Sequence, residues 1–324
     1  MMSTYYDDWL GLYEKGVQER KNAKKVIYPE ELNWVRTRQD AKSALLVAPE
    51  NGFKTVGGVT MIGEIPPGWK TGKHSHGEEA MYILEGNGFS IIDDQKFTWE
   101  TGTCIRVPFG AVHQHFNAGE KPAKYYSAVA PHFEYYCNVA KIEQFEDCGP
   151  YNEQPPFTKE GTDYSEPGVR LVLHQKDAHK PKRGEDHPHH QSAFTESHPE
   201  QMKKVHHSQI IRMMGINEEF RGEEVEITDV FVDRAHNATE KHAHMEAILY
   251  ILQGEGYSII DGEKIPWKQG TALHVQGPQT VHQHFVTSDV EGHELRTHFG
   301  IRKFVQPIAK KTFPYLFFEE GHAL

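Results

Sequence analysis

The sequence predicts an all-β protein: two tandem barrels behind a helical N-terminal extension. Three observations predict it. The chain repeats itself, with residues 73–102 and 241–270 identical at 16 of 30 positions at a constant offset of 168. Each copy breaks into short apolar segments bounded by glycine, AMYILEG at 80–86 and AILYILQG at 247–254. FSIIDD and YSIIDG follow and end in turn residues, the second an Asp-Gly hairpin signal. Short strands between Gly, Pro and Asp turns form antiparallel sandwiches or barrels, which can enclose a small ligand in their mouths.

The elements follow in chain order. Residues 1–50 are an extension whose stretch from Tyr5 to about Lys24 can form an amphipathic helix, with Trp9, Tyr13 and Val17 on one face. Such a helix is expected to dock on a barrel or on another subunit. Residues 51–147 hold the first barrel and 208–324 the second with its tail. Between them, 148–207 reads as a connector rich in Pro, Gly and charge. It holds eight histidines from His174 to His207, His187, His189 and His190 among them, expected to be solvated bystanders. The apolar stretch FPYLFF at 313–318 is expected to cover a sheet or an oligomer interface.

Composition excludes several functions. The 324 residues carry a net charge of −11 with both signs mixed along the chain, which argues against nucleic acid or an anionic membrane as partner. No apolar run is long enough to span a bilayer. The start, MMSTYYDDWLG, does not read as a secretory signal. Three cysteines, Cys104, Cys137 and Cys148, cannot make a disulfide framework and fit a reducing cytoplasm. The unusual count is 22 histidines, which suggests imidazole chemistry.

The histidines concentrate that chemistry. His74 and His76 alternate on a strand and so share a face, as do His242 and His244. A second segment in each copy, VHQHF, adds His113 and His282. Glu78 and Glu79 follow the first pair and Glu246 the second. Three imidazoles with a nearby carboxylate make a facial ligand set suited to Fe(II), Mn, Ni or Zn, with positions left open for substrate or O2. His115 and His284 lie two residues beyond the third histidine on the same face, as candidate pocket acids and bases or as histidines that orient neighbours. Arg106 is a candidate to seat a substrate carboxylate. Tyr82 with Tyr250, and Trp99 with Trp267, repeat at equivalent positions, where matching aromatics mean packing.

These segments resemble the paired motifs of the cupin superfamily, G-x5-H-x-H-x3,4-E-x6-G and G-x5-P-x-G-x2-H-x3-N. The first copy matches at Gly68, His74, His76, Glu79 (one residue early) and Gly86, then at Gly102, Pro108, Gly110, His113 and Asn117. The second matches at His242, His244, Gly254, Gly270 and His282, but Ala247 aligns with Glu79 and Val286 with Asn117. Either Glu78 and Glu246 are the carboxylate ligands, or the second copy uses three histidines. The resemblance implies a bicupin, two double-stranded β-helix (jelly-roll) barrels, and a homo-oligomer. Its overall look is closest to gentisate 1,2-dioxygenase-like enzymes, which implies Fe(II), one per barrel, and ring cleavage of a hydroxybenzoate-like substrate by O2. That group carries an arginine in the strand after His-x-His, and this chain has none there. Two alternatives remain. One is a non-oxidative Mn or Zn cupin, an isomerase or an oxalate-decarboxylase-like enzyme. The other is a small-molecule-binding or storage protein.

Overall fold

The structure is a computed structural model that describes residues 4–160, 163–165, 168–180, 209–215, 220–299, 316–319 and 321–324. It is all-β, with two barrels and a short helical N-terminal extension. In the first barrel, a sheet ordered Val172–His174, Thr103–Val107, Glu79–Glu85, Ala123–Val129, Val59–Ile65, Lys42–Val47 faces a second one. That sheet holds Lys73–Ser75, His113–Asn117, Asn87–Ile92 and Gln95–Glu100. The second barrel repeats the plan with Ala272–Val275, Ala247–Gln253, Gly292–Phe299 and Val225–Asp233 facing Lys241–Ala243, His282–Val286, Glu255–Ile260 and Glu263–Lys268. Register repeats as well: His113 lies opposite His74, and His282 opposite His242.

The apolar strands Glu79–Glu85 and Ala247–Gln253 are buried on both faces, which is why they read as continuous hydrophobic runs. One face of each lines its own barrel. Met81 and Ile83 pack there with Phe97 and Trp99, and Leu249 and Ile251 with Ile265 and Trp267. The other faces meet in a core between the barrels, where Tyr82 and Tyr126 join Ile248, Tyr250, Leu295 and Phe299. The Tyr126 and Tyr250 rings lie 5.5 Å apart, and the Tyr126 hydroxyl shares a hydrogen bond of 2.7 Å with Thr297. The barrels approach so closely that a Cβ on Gly58 would lie 2.1 Å from the Phe299 ring.

Strand pairing crosses the segments read as extension and connector. Val26–Ile27 extends the second barrel's sheet by pairing with Leu273 and Ala272, whereas Lys42–Val47 belongs to the first. The connector supplies Val172–His174 to the first barrel. The expected single N-terminal helix is two, Tyr5–Leu10 and Leu12–Asn22, joined at Gly11; Thr4 caps the first through its hydroxyl and Asp7. Neither buries a residue, and Trp9 stands 60% exposed. No described helix is long and apolar enough to cross a membrane. Of the connector histidines, His187, His189, His190, His198, His206 and His207 lie outside the described residues, as do residues 313–315 of the apolar tail. The tail's Leu316–Glu319 pairs with Lys241–Ala243, the strand that carries His242.

Candidate metal centres

In each barrel three histidines come together. The rings of His74, His76 and His113 lie 5.0, 4.1 and 4.8 Å apart, and those of His242, His244 and His282 lie 5.1, 4.3 and 4.6 Å apart. In both groups one ligand atom from each side chain lies within 4.8 Å of the others. The strand period aims the first two of each set at one face, and the antiparallel register brings the third alongside.

Backbone carbonyls decide the tautomer. Nδ1 of His74, His76 and His113 lies 2.8, 2.8 and 2.9 Å from the carbonyl oxygens of Gly72, Gly77 and Ala111. Nδ1 of His242, His244 and His282 meets those of Glu240, Met245 and Thr280 at 3.0, 2.5 and 2.9 Å. A carbonyl oxygen can only accept, so each Nδ1 carries the proton and each Nε2 keeps its lone pair. Nε2 of His74 and of His113 is buried without a hydrogen-bond partner. Buried polar atoms left so are costly, and a shared cation would satisfy them. Burial also lowers the pKa of these rings, His74 to about 2 and His282 to about 4, with the neighbouring imidazoles adding to the shift at His74. Neutral imidazole is the form that binds a metal. The donors therefore fit a divalent transition-metal ion in both barrels.

The carboxylates divide their work. Glu79 joins the first group, with Oε2 3.6 Å from Nε2 of both His76 and His113. Its Oε1 accepts a hydrogen bond from the Ser127 hydroxyl, which aims the group inward. Glu78, a sequence candidate for ligand, does not join. Its Oε1 pairs with Nε of Arg106 at 2.5 Å, and Oε2 accepts the N–H groups of Glu223, Glu224 and Val225 at 2.7, 2.6 and 3.1 Å. Glu246 likewise turns away. Its Oε1 lies 2.7 Å from Nε2 of His274 and 3.2 Å from the Val56 amide nitrogen. Adjacent residues on a strand face opposite sides, which separates Glu79 from Glu78. Arg106, a candidate to seat a substrate carboxylate, is held in that ion pair between the barrels instead.

His115 and His284 are buried beneath the histidine groups, 5.5 Å ring to ring from His113 and His282. Each shares a hydrogen bond of 2.7 Å between Nδ1 and a serine hydroxyl, Ser90 or Ser258. That serine in turn accepts the indole N–H of Trp99 or Trp267 at 3.1 or 3.0 Å. The repeated tryptophans thus pack and also hold a histidine in place. His115 Nε2 is buried, partnerless, and grouped with Glu79 and His113. Burial lowers both His115 and His284 to about 3.

Sequence reasoning missed five participants. Ser90 and Ser258 were identical in the repeat and could have been found from it. Ser127 carried no signal. Neither did the buried pair of Asp40 and Tyr125, joined by a hydrogen bond from the phenol, because Asp40 comes from the extension. Burial raises the Asp40 pKa to about 7 against the opposing effect of that bond.

Residues 61–129 match the family model described as a cupin domain. An uncharacterized protein of Methanocaldococcus jannaschii is 40% identical over 62 residues, which is 18% of this chain, and the chain spans half the length of that curated relative. Among solved structures, salicylate 1,2-dioxygenase from Pseudaminobacter salicylatoxidans is similar with a TM-score of 0.59 at 15% identity, over 86% of this chain and 80% of that one. The same enzyme with gentisate gives 0.62 at 14% identity, over 99% and 96%. An oxalate decarboxylase variant from Bacillus subtilis gives 0.63 at 12% identity, over 90% and 86%. At such identities the likeness speaks for the fold.

Proposed function

We propose that the chain is a bicupin of the cupin superfamily and an Fe(II)-dependent dioxygenase. It cleaves a C–C bond of a small hydroxylated aromatic compound of the gentisate or hydroxybenzoate kind, with O2 as co-substrate. The observation that carries this reading is the pair of histidine triads whose Nδ1 atoms are spent on backbone carbonyls, leaving Nε2 for one ion per barrel. The likeness of fold to salicylate 1,2-dioxygenase supports it. A bound iron would supply electron transfer to O2 and hold both reactants within bonding distance.

The chain's own residues do the rest. His74, His76 and His113 hold the ion in the first barrel. His115 accepts or returns a proton at Nε2, its ring fixed by Ser90 and Trp99. Ser127 keeps Glu79 aimed at the triad. His242, His244 and His282 hold the second ion. The apolar linings that include Met81 and Leu249 exclude water. The working protein is placed in a reducing cytoplasm, in keeping with its three free cysteines, and as a homo-oligomer through exposed aromatics such as Trp9 and Tyr6.

The test is O2 uptake by anaerobically iron-loaded protein given hydroxybenzoates, catechols and β-diketones. Stoichiometric uptake with one of them, abolished in His76→Ala along with about one metal equivalent, is expected. Silence across the whole panel would overturn the reading. One observation favours a second function: Glu79 makes the first barrel's donor set three histidines and a carboxylate, which suits a non-oxidative Mn or Zn enzyme. Manganese in fresh preparations, with turnover under argon, would select it.

A further inference from the structure

A loop of the N-terminal extension, Thr37 to Asp40, reaches the first histidine group by two routes. One is backbone. The Gly72 N–H donates to the Gln39 carbonyl oxygen at 2.7 Å, and the Gly72 carbonyl oxygen is the acceptor that fixes Nδ1 of His74. The Arg38 carbonyl oxygen accepts the Cys148 N–H at 2.8 Å and the Gln144 side-chain amide at 3.4 Å. Gln144 in turn lies opposite His74 in the sheet. The loop thus holds the His74 strand at its start and along its flank.

The other route runs through side chains. Asp40 is 2% exposed, and its carboxylate accepts a hydrogen bond from the Tyr125 hydroxyl. Tyr125 lies in the first barrel's interior, 6.4 Å ring to ring from His115, within the range at which aromatic rings attract. Ser90 holds the same imidazole at Nδ1, and its Nε2 is grouped with Glu79 and His113. Gly63 lets the phenol cross the sheet: it lies opposite Tyr125, and a Cβ there would stand 2.2 Å from Cζ of the ring. The loop is itself preset. Thr37 Oγ1 accepts the N–H groups of Gln39 and Asp40 at 3.1 and 2.9 Å, and the Thr37 N–H donates to the Asp40 carbonyl oxygen at 3.0 Å.

The second barrel is built differently at these places. By register Phe231 stands at the position of Gly63 and Glu294 at that of Tyr125, and the repeat puts Glu240 where the first copy has Gly72. We propose that the loop Thr37–Asp40 is the positioning element of the first metal centre, setting His74 through Gly72 and His115 through Asp40 and Tyr125. Outer partners of this kind hold ligand rings in the geometry a metal needs. The extension then belongs to the first centre, and two centres with repeated triads are tuned separately. This rests on the metal reading of the first triad and is independent of the reaction assigned above.

The test is Co(II) titration of full-length protein, followed by visible absorption, in two backgrounds. His244→Ala leaves the first triad intact, and His76→Ala leaves the second. Asp40→Leu and Thr37→Ala should each weaken Co(II) at the first triad by roughly tenfold to a hundredfold and shift its absorption bands, with the second triad unchanged. Asp40→Asn keeps an acceptor for the phenol and Thr37→Ser keeps the hydroxyl, so both should restore affinity and spectrum. If Asp40→Leu fails to fold, the Thr37 pair decides. Equal weakening of both triads, or a first triad indifferent to either folded variant, overturns the proposal and leaves the metal reading standing. A parent first triad that takes up no Co(II) overturns both.

Discussion

Glu78 and Glu79 are neighbours in sequence with unrelated tasks, because a strand turns successive side chains to opposite faces. Glu79 meets imidazoles, whereas Glu78 meets a guanidinium and three backbone N–H groups from the other barrel. The consequence is measurable. Glu78→Gln should leave metal content unchanged yet destabilise the protein by about 3–5 kcal/mol, since Arg106 stays buried with its charge uncompensated. Denaturant unfolding beside metal analysis reads both. Loss of metal without loss of stability would contradict the assignment. The grouping of these histidines could be read from spacing, because alternation and a third histidine are local patterns. The choice between the two glutamates could not, because a one-residue shift reverses the face and nothing local says which face is inside.

Elements show the same division between local and distant causes. The strands Glu79–Glu85 and Ala247–Gln253 were readable as strands from apolar runs ending at Gly86 and Gly254. Their burial on both sides was not, since the second covering layer is the other barrel. Gly58 lies at that contact for want of a side chain. Gly58→Ala would press a Cβ to 2.1 Å from the Phe299 ring and should cost about 1–3 kcal/mol through forced movement of the sheets. A lowered melting temperature, with both triads still loading metal, is the expected result. The N-terminal helix was expected to be continuous because its apolar spacing is. The chain instead breaks it at Gly11, and its aromatic stripe stays exposed.

At the scale of the molecule the duplication becomes a pseudo-twofold clasp. Glu78 reaches the amide groups at 223–225, and Glu246 reaches that of Val56, which stands 168 residues before Glu224. Arg106 anchors one side, and the equivalent His274 the other. The fold also buries neutral histidines in both barrels, which ties its stability to pH. Because burial lowers His115 and His284 to about 3 from the usual 6.5, their contribution is complete above about pH 6.5 and is lost as pH falls toward 3. Metal-free protein carrying both His115→Gln and His284→Gln should therefore lose less stability than the parent between pH 6.5 and 4, by several kcal/mol in denaturant unfolding. Equal acid sensitivity would show that these rings do not govern it. By itself the sequence determined two copies of one barrel and six histidines placed to meet, since repeats, strand period and ligand spacing are properties of neighbouring residues. Only the tertiary structure decided that Glu79 turns toward the first histidine group and that Arg106 and Glu78 join the barrels. Each of those outcomes depends on which surface a side chain is buried against, and distant segments supply that surface.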